Sequence, residues 1–306
     1  MPIDNFNIFF KSQAELVLEI LGLFDWENCF ALKGGTAINY FYSNMPRLSI
    51  DIDLVYLPVK SRTETIKEIK IRLADFINKI NGIYKQVKII KESESNPVGI
   101  LYIDNGKAKI KIEPNIVIRG TVLPVKNASL NQDVMKYFGQ ELEVKCLDFK
   151  EIIAGKLVAA VDRQHPRDIF DIMLFLDNNH TNELEHVIEL FIIYLSQSNR
   201  PFSELLNPKY NDFENAYKTS LIGMLRKEVN LNILIKKRIE IFEIVKNNVK
   251  SRHKEFLISL LNLEPKWDLI AFKNIKNLPG ILWKLKNIEK MNDEKRKNEI
   301  NKISLL

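Results

Sequence analysis

Leu16, Val17, Ile20 and Leu21 recur at helical spacing behind Ser12 and Glu15, whose separation suits a capping box, so a helix is predicted over 12–21. A short apolar run over 29–33 follows, and Gly34-Gly35 breaks it. Residues 36–42 leave room for about two helical turns before Pro46 ends the element. Residues 48–57 alternate instead: Ile50, Ile52 and Leu54 share one face of a predicted strand, while Ser49, Asp51 and Asp53 share the other. Ile66, Ile69, Leu73, Phe76, Ile77 and Ile80 mark an amphipathic helix over 63–80. Strands are predicted over 84–91 and 98–103. Asp104-Asn105-Gly106 then turns the chain into a return strand over 107–117, with Lys109, Lys111 and Glu113 on its polar side. From Phe149 the pattern is helical: one helix over 149–161, and another from Pro166 to about residue 176. The stretch 178–181 reads as a linker. Beyond it only helices are expected, broken near Pro201, Pro208, Pro265 and Pro279, with a frayed polar tail over 295–302. No internal repeat is present.

The 306 residues, 46% hydrophobic and 27% charged, are enough for one large or two modest domains with real cores. No apolar run approaches the roughly 18 residues that span a bilayer, and the longest, 187–195, is interrupted by Glu189. The N-terminus lacks the basic-then-apolar order of a secretory signal. Cys29 and Cys146 have no metal-type spacing and suit reduced thiols, and the four histidines are scattered, so a cytoplasmic protein without zinc is expected. The net charge of +6 is uneven. Residues 266–302 hold ten Lys or Arg against five acids, an excess that can attract phosphate backbones or simply form a solvated helical surface.

Four groups could carry chemistry. Asp51 and Asp53 point the same way from one strand, and two carboxylates that close need a cation; magnesium prefers such hard oxygens and takes its remaining ligands from phosphates and water. Alternatively they are two solvated acids at a strand end. Gly34, Gly35 and Thr36, preceded by Lys33, form a turn into a helix start, where free amides favour an anion; an ordinary strand-to-helix turn would look similar. Glu113 could be a third ligand, the base for an attacking hydroxyl, or a salt-bridge partner of a neighbouring lysine. Lastly, Lys156 and Arg163 are seven residues apart and share a face if the helix persists, so either could contact a triphosphate. Asp168 lies in the first turn of the next helix and Asp171 is its i, i+3 neighbour, which a capped helix with surface pairs would also explain.

In this order the pieces resemble the AbiEii/AbiGii toxin family of nucleotidyltransferases with a DNA polymerase β-like core. The likeness rests on 32–37 (Leu-Lys-Gly-Gly-Thr-Ala), 47–54 (Arg-Leu-Ser-Ile-Asp-Ile-Asp-Leu), 154–157 (Ala-Gly-Lys-Leu), Arg163, and Arg167-Asp168-Ile169-Phe170-Asp171, and spans about residues 10–180. It implies an α/β (α+β) fold: a small mixed sheet with flanking helices over 1–145, then a helical region over 146–306. Within the latter, 146–177 would complete the active site; 182–306, beyond the likeness, is expected from its helical, Lys-rich character to bind acceptor or partner. It further implies Asp51 and Asp53 as magnesium ligands, and Gly34, Gly35 and Thr36 as phosphate holders. Arg47 and Ser49 would shape the same pocket, Lys156 would contact the triphosphate, and Asp168 would be an acid needed for activity. Glu113, followed by Pro114, occupies the third acidic position.

Family members are toxins of toxin–antitoxin and phage-defence (abortive-infection) systems, and characterised relatives add nucleotides to the 3′ end of tRNA. The expected partners are therefore an NTP, an RNA acceptor and a separately encoded antitoxin that need not bind stably; no membrane is expected. Two other expectations stay open: the same core could modify a small molecule or a protein hydroxyl, or the scaffold could serve as a non-catalytic RNA- or partner-binding module.

Overall fold

The computed structural model describes residues 6–27, 29–90, 92–93, 96–178 and 180–306. The chain divides into two compact units, one of Met1–Phe149 with Ile222–Glu228, the other of Lys150–Leu221 with Val229–Leu306. Together they form a mixed α/β protein.

The first unit is organised by a seven-stranded mixed sheet. Its strands are β1 (Phe30–Lys33), β2 (Asp51–Tyr56), β3 (Gln86–Ile90), β4 (Ile100–Asp104), β5 (Lys109–Asn115), β6 (Lys126–Ser129) and β7 (Glu143–Cys146), in the spatial order β3-β4-β5-β2-β1-β7-β6. The central strand β2 pairs antiparallel with β1 and parallel with β5. Ile52 and Leu54, with Ile110 and Ile112 of β5, are buried, and burying each such side chain contributes about 1.5–3 kcal/mol. That burial fixes the register, because a one-residue slip would turn the acids inward. Asp51 and Asp53 are thereby held half-buried on the opposite face. Residue 91, at the end of the strand expected over 84–91, lies outside the described residues.

The helix α1 (Ile8–Leu23) starts earlier than Ser12 because Asn7 caps it, its side chain accepting from Phe9 N at 2.8 Å. After β1 the chain enters α2 (Gly34–Thr36), which continues as a π-helix over Ala37–Tyr42. The next helix, α3 (Arg62–Ile80), carries a capping box between Ser61 and Glu64 and buries Ile69, Leu73, Phe76 and Ile80. Between β6 and β7 lies α4 (Gln132–Phe138). The expected sheet was small and lacked β6 and β7; each is four residues long, too short for periodicity to reveal. The segment 222–228 returns to this unit and clamps the loop before β2: Asn7 N donates to Gly223 O, Leu48 N to Met224 O and Arg226 N to Pro46 O, at 2.7–2.9 Å.

The second unit is helical: α5 (Phe149–Asp162, of which Phe149 counts with the first unit), α6 (Pro166–Asp177), α7 (Leu184–Leu195), α8 (Phe202–Leu206), α9 (Glu214–Ser220), α10 (Leu231–Asn248), α11 (Ser251–Leu261), α12 (Pro279–Glu289) and α13 (Asp293–Ser304). Of the expected linker 178–181, Asn179 lies outside the described residues, and a 3₁₀ turn covers His180–Glu183. The expected frayed tail is instead α13, anchored by buried Ile303 and by Glu299, whose carboxylate accepts Ser203 N and Ser203 Oγ at 2.8 Å each. Lys284 also points inward, donating to the carbonyls of Ser198 and Arg200.

Glu189, the charge inside the most apolar helix, is buried because four donors meet it: Arg252 Nη1 and Nη2 at 2.9 and 2.6 Å, Ala271 N at 2.6 Å, and a bond of 2.8 Å with His253 Nε2. Burial would raise its pKa, but these bonds outweigh burial and lower it to about 2. A carboxylate whose folded pKa is depressed stabilises the fold above its unfolded pKa and ceases to do so as pH falls through the folded one. Glu189→Gln should therefore cost about 3 kcal/mol at pH 7. In urea unfolding its deficit against the parent should shrink as pH falls from about 4 towards 2; a deficit independent of pH would contradict this assignment.

Candidate active site

The site begins with a close backbone approach. Lys33 pairs with Asp53 across β1 and β2, so the turn that follows is laid against the Asp53 carboxylate. Gly34 has φ +74°, and a Cβ there would overlap Asp53 Oδ2 and come within 3.2 Å of Asp53 Cβ and Cγ. Only glycine meets both conditions without strain. A Cβ on Gly35 would in turn meet Arg47 Nη2 and lie 3.0 Å from Ser49 Oγ. The side chain of Lys33, which precedes α2, makes no cap hydrogen bond to it, and a helix start carries amides that helix geometry leaves for an outside acceptor.

Behind the turn lies a buried brace. Thr36 Oγ1 hydrogen-bonds to Ser49 Oγ and to the Asp51 carbonyl. Tyr40 donates its hydroxyl to Ser49 O at 2.7 Å and accepts from Ser49 N at 2.8 Å. Asn39 Nδ2 takes the Gly35 carbonyl, the acceptor that its own backbone N–H would use in an α-helix, where the winding is π. Arg47 is 1% exposed and donates to Leu48 O. Arg47, Ser49 and Thr36 are thus buried supports of the turn, with their polar groups turned onto the protein.

On the sheet, Asp51 stands opposite Lys111 and Asp53 opposite Glu113 in the parallel pairing of β2 with β5. Lys111 Nζ bonds to the Glu113 carboxylate and lies 3.9 Å from Asp51 Oδ1. Burial alone would lower the Lys111 pKa, yet Asp51, Glu113 and Asp53 together raise it. Among the described residues no three His, Cys, Asp or Glu side chains gather into a metal-holding group. The two aspartates form a pair, and Glu113 is beside them in register but turned to Lys111. This donor set suits magnesium: two hard carboxylates project from one face of β2.

The second unit brings together the other expected residues. Asp168, fully buried, receives Lys156 Nζ at 2.7 Å and Arg163 through Nε at 2.7 Å and Nη2 at 3.1 Å; Lys156 also lies 3.1 Å from Asp171 Oδ2. Burial would raise the Asp168 pKa, but Lys156 and Arg163 hold it well below the usual carboxylate range. Helix α5 stops at Asp162, so it is Asp168, more than a continuous helix face, that unites Lys156 with Arg163. Arg167 lies in the first turn of α6, and its N–H donates to Nδ1 of the capping His165 at 3.2 Å. Burial, then Arg167, push the His165 imidazole down to about 4, which keeps that acceptor lone pair free of a proton.

Sequence reasoning missed Tyr40, Asn39 and His165, and foresaw Lys111 only as a neighbouring lysine with which Glu113 could pair, as it does. Two had signals: Lys111 precedes Glu113 by two on a strand and so shares its face, and His165 stands just before a proline suited to the first helical position. Nothing local marks Tyr40.

A strand bearing paired acids against a Gly-Gly helix start is the arrangement of nucleotidyltransferases. The family model described as "Nucleotidyl transferase AbiEii toxin, Type IV TA system" matches residues 16–275, and the chain belongs to that family. Among solved structures it is similar to MenT4, a nucleotidyltransferase toxin from Mycobacterium tuberculosis H37Rv, with 15% identity and a TM-score of 0.60, over 97% of this chain and 93% of that one. JHP933 from Helicobacter pylori aligns with 16% identity and a TM-score of 0.46, over 80% of this chain and 94% of that one. The likeness to MenT4 concerns the fold. No curated protein sequence matches the chain. Among the described residues, no helix is long and apolar enough to cross a membrane.

Gly34→Ala should abolish magnesium-dependent NTP binding in calorimetry, with a stability loss of about 1–2 kcal/mol from the left-handed backbone. Gly82 has φ +83° with nothing within 4 Å of an added Cβ. Gly82→Ala should therefore lose stability through its backbone alone, by no more than Gly34→Ala, and retain binding; equal binding by both variants would refute the role of the Gly34 contact.

Proposed function

We propose that the protein transfers a nucleotide from an NTP to an acceptor hydroxyl, the 3′ end of a tRNA, and releases pyrophosphate. The observation that supports this reading is the close approach of the Gly34 backbone to the Asp53 carboxylate. Asp51 and Asp53 would hold magnesium, with Glu113 as a further ligand or as base. Bound there, the ion supplies charge compensation at the phosphate oxygens. The amides of Gly34, Gly35 and Thr36 receive phosphate oxygens, while the brace of Arg47, Ser49 and Tyr40 keeps the turn from yielding. Glu113 takes the proton from the acceptor hydroxyl, which attacks the α-phosphorus in line with the departing pyrophosphate. In the second unit, Asp168 and Asp171 fix the position of the Lys156 ammonium.

The acceptor assignment is supported by charge. Lys273, Lys276, Lys286, Lys290, Lys295, Lys297 and Lys302 are exposed in the helical unit, a surface suited to a nucleic-acid backbone. Type IV toxins are paired with a separately encoded antitoxin; here it would oppose the modification without a stable complex, in a system that arrests growth during phage infection.

Incubation with each of four labelled NTPs and total tRNA, protein or metabolites should label tRNA. Asp51→Ala or Asp53→Ala should reduce labelling about a thousandfold or more, the several kcal/mol that charge stabilisation provides at a phosphoryl centre, while the fold persists. Label confined to protein or metabolites would reject the tRNA acceptor. Undiminished labelling by the folded double variant would reject the mechanism, and no nucleotide binding at millimolar NTP would favour a binding module.

A further inference from the structure

Lys111 stands on the acidic face of the sheet, opposite Asp51 in the β2–β5 register and two residues before Glu113. Its ammonium is bonded to Glu113 and lies 3.9 Å from Asp51, and its side chain is 33% exposed. It is thus a partly covered cation placed against the acids that the nucleotidyl-transfer reading assigns to magnesium. Three carboxylates on adjacent strands repel one another unless a positive charge compensates them. A lysine compensates one unit of that charge and satisfies few of the oxygens; a divalent cation compensates two and takes several oxygens at once. Both cannot sit against the same carboxylates without repulsion.

We propose that Lys111 is a resident counter-ion of the acidic face, and that a divalent cation enters by displacing it. Lys111 is then a positioning residue with two effects. It keeps the acid face folded in the absence of metal, and it sets the threshold concentration at which metal binds. Its departure also releases Glu113, so the carboxylate assigned as base becomes free only when the cation is in place. The idea rests on the magnesium reading of Asp51 and Asp53 and adds a competition that the reading alone does not require.

Binding of Mn²⁺ alone, followed by the electron paramagnetic resonance signal of the free ion, tests it on the full chain. Four variants are compared with the parent: Lys111→Met, Lys111→Gln, Lys111→Arg and Asp51→Asn. Lys111→Met and Lys111→Gln should bind Mn²⁺ about tenfold more tightly than the parent, because a charge about 4 Å from the ion's ligands is removed. Lys111→Arg, which keeps the charge, should stay near the parent. In chelator the two neutral variants should melt below the parent, and Mn²⁺ should raise their melting temperatures more than the parent's. Neutral variants that fold only when Mn²⁺ is present also support the proposal; failure to fold even then would overturn it. Equal or weaker Mn²⁺ binding by folded neutral variants, with the parent still binding through Asp51, would overturn the role of Lys111 and leave the magnesium reading intact. No Mn²⁺ binding by parent or variants, or binding that Asp51→Asn does not weaken, would overturn both.

Discussion

The contact between the backbone at Gly34 and the carboxylate of Asp53 is the constraint on which the first unit's site depends. It forces a left-handed backbone without a Cβ, and so a glycine. It also fixes the distance between the start of α2 and β2, and that spacing sets the helix amides beside the acids. Most of the surrounding polar groups maintain it. Thr36 and Tyr40 tie the helix to Ser49 and Asp51, and the segment 222–228 holds the loop of Pro46 and Leu48 from outside. Loosening any of these would move the amides relative to the carboxylates before it unfolded the sheet.

The two clusters of ionisable groups solve the same electrostatic problem in different ways. On the sheet, the acids are half-exposed, with Lys111 bonded to Glu113 and 3.9 Å from Asp51, so solvent screens much of their charge. Around Asp168 the compensation is complete: Lys156 and Arg163 meet a fully buried carboxylate, and Asp171 takes a second contact with Lys156. Such a cluster has little freedom to rearrange, which suits a fixed positive group more than a metal site. Glu189 shows the same completeness in a purely structural setting, with Arg252, His253 and the Ala271 amide around it.

How much of this could be seen in the sequence follows the range of the interactions. Alternation over 48–57 placed Asp51 and Asp53 on one face, because strand period and burial are local and agree. The helices α5 and α6 were legible from Phe149 and Pro166 for the same reason. The meeting of Gly34 with Asp53 was not, since it depends on the antiparallel register of β1 with β2 and on a positive φ. Lys284 and Glu299, within the stretch weighed as a solvated helical surface, are buried, because their partners come from distant chain positions or from backbone carbonyls. The strands over Lys126–Ser129 and Glu143–Cys146 were too short and too polar to announce themselves, and they extend the sheet beyond the small one expected.

The central claim is that metal-bound nucleotide phosphates sit at the Gly34–Gly35 turn beside Asp53. Glycine-selective ¹⁵N labelling of the eleven glycines reports this directly. On addition of Mn²⁺ with an NTP, paramagnetic broadening should remove the Gly34 and Gly35 amide signals first and spare Gly82 and Gly106. Broadening that bypasses Gly34 and Gly35 while affecting other glycines would contradict the account.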